Sequence, residues 1–287
     1  MVELYCSWCK GLPESKEALK LIKNSGLFAG MELSNTDLQA DKILEANLKV
    51  SIHNPIREFN MNLDNENFSK VFNLNPQILA SCDKSSLPFV SFHTTNLLFL
   101  DRTIPYEELL KNAITNLNFL DNKLSKNIIF ETGCGFAPEA KLPFPKTFYM
   151  CTQPGFAKKI LSKTNAGVLM DISHVVASAS AHKLYNNYPN EIKDFFLDYL
   201  KICAKRTYEI HLNSTKIYPN GRYIDRHFPL DPSSAETQLA FELTALAIKA
   251  CPKLEMIVLE VEPNLEPVPH AKLLIKQAQI VEKYVLD

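Results

Sequence analysis

Short apolar runs of β-type residues recur along this chain, and six of them end in a residue type that binds metals. The ends fall at His53, His93, Glu131, Asp171, His211 and Glu260, separated by 40, 38, 40, 40 and 49 residues. Each interval accommodates one strand, a crossover helix and their loops, so the pattern predicts repeated β/α units with parallel strands. Two earlier runs complete a set of eight: residues 2–8, 28–33, 50–53, 89–93, 128–131, 167–171, 207–211 and 256–260. Several are near-continuous in apolar residues, as expected of strands covered on both faces.

Helical patterning lies between the runs. Residues 14–24 place Ala18, Leu19 and Ile22 on one face, and residues 106–120 carry apolar residues at helical spacing. So do residues 235–250, which follow a start signal at Pro232, Ser233 and Ser234. The amphipathic stretch 271–286 is read as a helix closing a barrel wall. Eight β/α units predict an α/β fold, a (β/α)8 TIM barrel, in one domain spanning residues 1–287. No repeat, low-complexity tract or linker interrupts it. Pro143, Pro145 and Pro154 fall in residues 133–155, which read as an extended active-site loop.

Composition narrows the function classes. A formal net charge of -1 and a pI near 6.7 lack the basic footprint of a dedicated nucleic-acid binder. The opening residues Met1 to Cys6 show no basic stretch leading into an apolar core, and no apolar run approaches the ~18 residues of a bilayer span. The 7 cysteines are scattered and odd in number, which reads as reduced thiols in a cytoplasmic protein. Cys6 and Cys9 share a CxxC spacing with no second pair, and are read as ordinary packing residues. His182 and His270 stand outside any pattern and are expected at the surface. With only 8 glycines, neither a phosphate-binding glycine loop nor a nucleophile elbow is present.

In a parallel barrel all strand C-termini emerge on one face, so strand-end residues converge however distant they are in sequence. Two further pieces join the six ends: His174, three residues after Asp171, and Asp225 with His227, expected in the loop after strand seven. Five of the 7 histidines belong to this set. The carboxylates Glu131, Asp171, Asp225 and Glu260 would repel one another if buried and ionised, and divalent cations remove that penalty. Imidazole with carboxylate suits iron, zinc or manganese, and roughly two or three such ions would balance the charge. Glu131, Asp171 and Glu260 are the candidate catalytic carboxylates. Arg57, Cys134, Asn213, Arg222 and Arg226 flank the set as candidate substrate-binding residues.

The order of these residues resembles the xylose isomerase-like TIM barrel superfamily, in its trinuclear branch. Over roughly residues 50–265 two groups are similar. Endonuclease IV, a zinc enzyme that cleaves DNA at abasic sites, is matched at Phe92-His93, Phe130-Glu131-Thr132, Asp171 with His174, His211-Leu212-Asn213, Asp225-Arg226-His227 and Leu259-Glu260. Its His-Val-Ser and paired glycines are missing from the first strand. Its Gly-Glu-Gly run is replaced by Phe228-Pro229-Leu230-Asp231-Pro232. The multinuclear non-heme iron-dependent oxidative enzymes, which include the methanobactin-maturing type, are matched more broadly. Residues 167–179 (GVLMDISHVVASA) look like their Asp-(two residues)-(Asn or His)-x-x-x-Ser-Ala signature, and Glu209-Ile210-His211-Leu212 and Ile224-Asp225-Arg226-His227 are also similar.

The resemblance implies three metal sites: His53, His93 and Glu131; Glu131, Asp171, His211 and Glu260, with Glu131 bridging; and His174, Asp225 and His227. It also implies iron-dependent oxidation of a peptide or thiol substrate, with a partner protein presenting a peptide. Zinc- or manganese-dependent phosphodiester hydrolysis and sugar isomerisation stand as alternatives. Isomerase sites usually lack an Asp225–His227 pair.

Overall fold

Eight short strands pair edge to edge until the last meets the first. The computed structural model describes residues 2–7, 15–34, 40–56, 59, 61–94, 104–132, 146–185, 191–218, 223–261 and 265–286. Strands β1 (Glu3–Ser7), β2 (Gly30–Ser34), β3 (Lys49–His53), β4 (Phe89–His93), β5 (Asn127–Glu131), β6 (Gly167–Asp171), β7 (Thr207–Leu212) and β10 (Met256–Leu259) form a closed parallel barrel. Strands β8 (Ser214–Ile217) and β9 (Tyr223–Phe228) make a separate antiparallel hairpin. The helices are α1 (Lys16–Ser25), α2 (Ala40–Glu45), α3 (Phe68–Leu74), α4 (Pro76–Asp83), α5 (Tyr106–Asp121), α6 (Lys146–Cys151), α7 (Pro154–Leu161), α8 (Ile172–Tyr185), α9 (Ile192–Cys203), α10 (Ala235–Ala250) and α11 (Pro267–Val281). This is the (β/α)8 architecture expected from the sequence.

Local chemistry sets the ends of these elements. Ser15 precedes α1 and its hydroxyl accepts from Ala18 N at 3.2 Å, while Gly26 stops the helix at φ +67°. Ser234 caps α10 by accepting from Thr237 N at 3.1 Å, in line with the start signal in the sequence. Proline opens α4, α7 and α11, where its missing N–H is no loss.

Side chains alternate across each strand, and the alternation builds two layers inside the barrel. Tyr5, Phe89, Ile129, Leu169, Met256 and Val258 form a buried apolar cluster distinct from the larger core between sheet and helices. Two residues further along their strands come Ser91, Glu131, Asp171 and Glu260, all buried. Aromatic and aliphatic side chains therefore make a floor, and ionisable groups stand above it at the strand C-termini.

The barrel closes tightly at β2. A Cβ on Gly30 would run into the Tyr5 ring and lie 2.5 Å from the Lys49 carbonyl oxygen. Gly30→Ala is expected to destabilise the protein by about 1–3 kcal/mol through overpacking. A urea denaturation midpoint equal to wild type would show that the backbone yields freely there.

Four expectations are corrected. The extended loop expected over residues 133–155 is interrupted: α6 lies within it and α7 begins at Pro154, while residues 133–145, with Pro143 and Pro145, lie outside the described residues. Asp225 and His227 sit on strand β9 rather than in a loop. Its short alternating run belongs to a hairpin outside the β/α repeat. His182 and His270 are buried, not at the surface. His182 lies between Tyr149 and Phe195 with Nε2 3.0 Å from Thr152 Oγ1, and desolvation pushes its pKa down to about 4. His270 places Nε2 3.0 Å from the Val261 carbonyl. Both occupy helix faces turned to the core, which an isolated histidine does not reveal in sequence. Among the described residues, no helix is long and apolar enough to cross a membrane.

Candidate metal centre

Strand register brings the strand-end residues together. His93 on β4 is level with Glu131 on β5, and Asp171 on β6 with His211 on β7. His53 on β3 is level with Ser91, one alternation below His93. The result is a buried group of imidazoles and carboxylates above the apolar floor.

One side is built on His53, His93 and Glu131. The Nε2 atoms of the two histidines are 2.7 Å apart, and Glu131 Oε2 lies 2.9 Å from the second and 3.9 Å from the first. His53 Nδ1 is 2.8 Å from Ser91 Oγ, whose hydroxyl donates to the Ile52 carbonyl at 3.4 Å. Ser91 thus accepts the Nδ1 proton, and the Nε2 lone pair of His53 faces the centre. Two ring nitrogens this close need a proton or a cation between them.

Glu131 connects this side to the next. Its other oxygen, Oε1, is 3.0 Å from His174 Nδ1. Burial would raise the Glu131 pKa, but the charges of His93 and His174 outweigh it and hold the carboxyl well below the usual range. Asp171 serves both the fold and the site. Its Oδ1 accepts from Ser173 Oγ at 2.7 Å and His174 N at 2.8 Å, the bonding of a helix cap at the start of α8. Its Oδ2 lies 3.7 Å from both His174 Nε2 and His211 Nδ1. The three-residue spacing of Asp171 and His174 is therefore the geometry of a strand passing directly into a helix.

His211 is fully buried among carboxylates. Nδ1 lies 3.0 Å from Glu260 Oε2, and Nε2 lies 3.0 Å from Glu32 Oε1 and 2.9 Å from Glu209 Oε1. Desolvation opposes its charging, yet Glu32 and Glu260 raise its pKa well above the ordinary value. Burial raises Glu260 against the pull of His227 and His211, and burial together with the Glu209 charge raises Glu32 well above the usual range. His227 reaches in from β9 with Nε2 3.5 Å from Glu260 Oε2, from a backbone at φ +47°. That conformation is uncommon for a residue with a side chain.

Among the described residues, four groups have ligand atoms close enough to hold a cation: His53, His93 and Glu131; Glu131, Asp171 and His211; Asp171, His174 and His227; and Glu32, His53 and His211. The donor set fits divalent metal, since imidazole nitrogens and carboxylate oxygens from several strands converge within reach of one ion. Asn213, two residues beyond His211, is fully buried with neither amide atom hydrogen-bonded. Arg57, Cys134 and Arg222 lie outside the described residues, as do the side chains of Asp225 and Arg226. Glu32 and Glu209 were not among the sequence candidates. Glu32 stands one position before the end of its predicted run and Glu209 two before His211, so neither carries the run-end pattern.

No protein-family model matches the chain, and no curated protein matches it in sequence. Solved structures match along its length. A xylose isomerase domain protein from Alicyclobacillus acidocaldarius subsp. acidocaldarius is 14% identical over 100% of this chain and 99% of its own, with a TM-score of 0.63. The IolI protein with a bound zinc atom is 16% identical over 99% of each chain, with a TM-score of 0.66. A family 2 AP endonuclease from Brucella melitensis is 11% identical over 99% of this chain and 100% of its own, with a TM-score of 0.58. At these identities the likeness is one of fold: the chain is built as the xylose isomerase-like TIM barrel proteins are.

Proposed function

We propose that this protein is a metal-dependent enzyme whose strand-end cluster holds roughly two or three divalent ions, and that with iron bound it oxidises a peptide or thiol substrate, O₂ being the oxidant that is reduced. The observation that carries the metal reading is the meeting of His53 Nε2 and His93 Nε2 at 2.7 Å beside a carboxylate that also reaches His174. His53, His93 and Glu131 would hold one ion, and Glu131, Asp171, His211 and Glu260 a second. His174, His227 and Asp225 would hold the third. Bound iron would supply the redox chemistry, and the chain's residues would hold and orient it. Ser91 orients His53, and the capping bonds at the start of α8 fix Asp171 and His174. The buried amide of Asn213 is suited to a polar group of the substrate. The choice of iron rests on the likeness of residues 167–179 to the iron-dependent oxidative enzymes.

Protein prepared without oxygen should contain iron at roughly two or three equivalents and give a Mössbauer spectrum of coupled iron. Stoichiometric zinc without iron would overturn the oxidative reading and leave hydrolysis. Phosphodiester hydrolysis is the second reading, favoured by the donor order and by the structural likeness to an AP endonuclease. The neutral charge balance and the replaced Gly-Glu-Gly segment weigh against it. Duplex DNA carrying an abasic site is expected to stay intact when incubated with the metal-loaded protein. Metal-dependent incision at that site, read on a denaturing gel, would promote the hydrolase.

A further inference from the structure

His211 has a carboxylate environment at each ring nitrogen, and the two environments differ. Nδ1 faces Glu260 at 3.0 Å and Asp171 at 3.7 Å, both members of the proposed ligand set. Nε2 faces Glu32 at 3.0 Å and Glu209 at 2.9 Å, deeper in the barrel. All these side chains are buried. A neutral imidazole has one N–H and one lone pair, so a nitrogen that binds an ion leaves the proton on the other. Glu32, His53 and His211 are also close enough together to hold a cation. A cation there, with another at Nδ1, would strip His211 of both ring protons. A proton on Nε2 meets the same geometry with no such demand.

Both carboxylates are held where they are by the barrel. Glu32 is level with Ser51 on β3, whose hydroxyl lies 3.5 Å from Glu32 Oε2. Glu209 is level with Leu169 on β6 and belongs to the same strand as His211. The acceptors at Nε2 therefore sit on two strands across the barrel interior, β2 and β7. Resting on the metal-centre reading above, we propose that Glu32 and Glu209 are positioning residues that hold the Nε2–H of His211 between them, so that Nδ1 is presented to the ions. Neither touches an ion or a substrate in this assignment. Carboxylates behind a metal-binding histidine fix its tautomer and raise its basicity.

The test uses Zn²⁺ alone as the probe. In the Glu32→Leu/Glu209→Leu double variant, zinc affinity measured by calorimetry should fall about 10–100-fold. Glu209→Gln keeps an oxygen that accepts from the N–H, and its affinity should stay within about threefold of wild type. In the zinc-loaded wild type, ¹⁵N spectra of labelled histidine should place the His211 proton on Nε2. Zinc binding unchanged in the double variant, or the proton on Nδ1, would overturn the proposal. If the double variant fails to fold, the wild-type tautomer alone decides. A wild type that takes up no zinc overturns the metal centre itself, an outcome distinct from normal zinc uptake without the predicted tautomer.

Discussion

Stripping the metal from the protein is expected to lower its melting temperature by roughly 15 °C at pH 8. Two ions present at about a thousandfold above their dissociation constants stabilise the folded state by ~8 kcal/mol together. In a chain of this size each kcal/mol is worth roughly 2 °C. The pH dependence follows from the raised groups. Glu32 and Glu260 lie above their ordinary value of 4.5, and His211 lies well above 6.5, so the metal-free folded state retains protons that the unfolded chain releases. Their contribution is present at low pH and is lost as pH rises, from above 4.5 for the acids and above 6.5 for the histidine. Glu131, held well below 4.5, acts in the opposite sense: its contribution is present above that value and is lost on acidification. The metal-free protein should therefore weaken toward pH 8, while the loaded protein holds there and weakens in acid as its ligands protonate. Scanning calorimetry with and without chelator across pH would check this. Equal melting temperatures at pH 8 would contradict it.

Glu131→Ala should lose more than one metal equivalent, about two of the three in the loaded protein. The reason is geometric. Oε2 closes the His53–His93 pair, Oε1 meets His174, and the carboxylate also groups with Asp171 and His211. His174→Ala should lose mainly one equivalent, because that histidine serves the side shared with His227. Activity should fall with Glu131→Ala by a factor of roughly 10³ or more if the ions are the reactive centre, as proposed. Elemental analysis of the two variants side by side checks the order. Equal losses would remove the bridging role.

The barrel was legible because its strands repeat one signal, a short apolar run, and six of the eight runs close on a ligand-type residue. His53, His93, Glu131, Asp171 and His211 all stand at or within one residue of a strand end, so a one-dimensional interval carried three-dimensional meaning. Glu260 is just past its strand. What the interval did not carry was the interior below the mouth. Glu32 and Glu209 face inward by strand alternation, and only closure of the sheet brings β2 and β7 to the same imidazole nitrogen. The β8–β9 hairpin was illegible for another reason. It breaks the β/α rhythm, and its histidine bends the backbone to φ +47°, which no propensity of His227 announces. His182 and His270 were misplaced because a histidine reads as polar in sequence, whereas a helix turned inward can bury it beside a hydrogen-bonding partner.

Crystals of protein purified without added metal and without oxygen, measured on both sides of the iron and zinc absorption edges, test the central claim most directly. Two or three anomalous peaks are expected among His53, His93, Glu131, Asp171, His174, His211, His227 and Glu260, roughly 2.0–2.3 Å from their nitrogen and oxygen atoms. Well-ordered side chains in these positions, with no anomalous scatterer between them, would contradict the account.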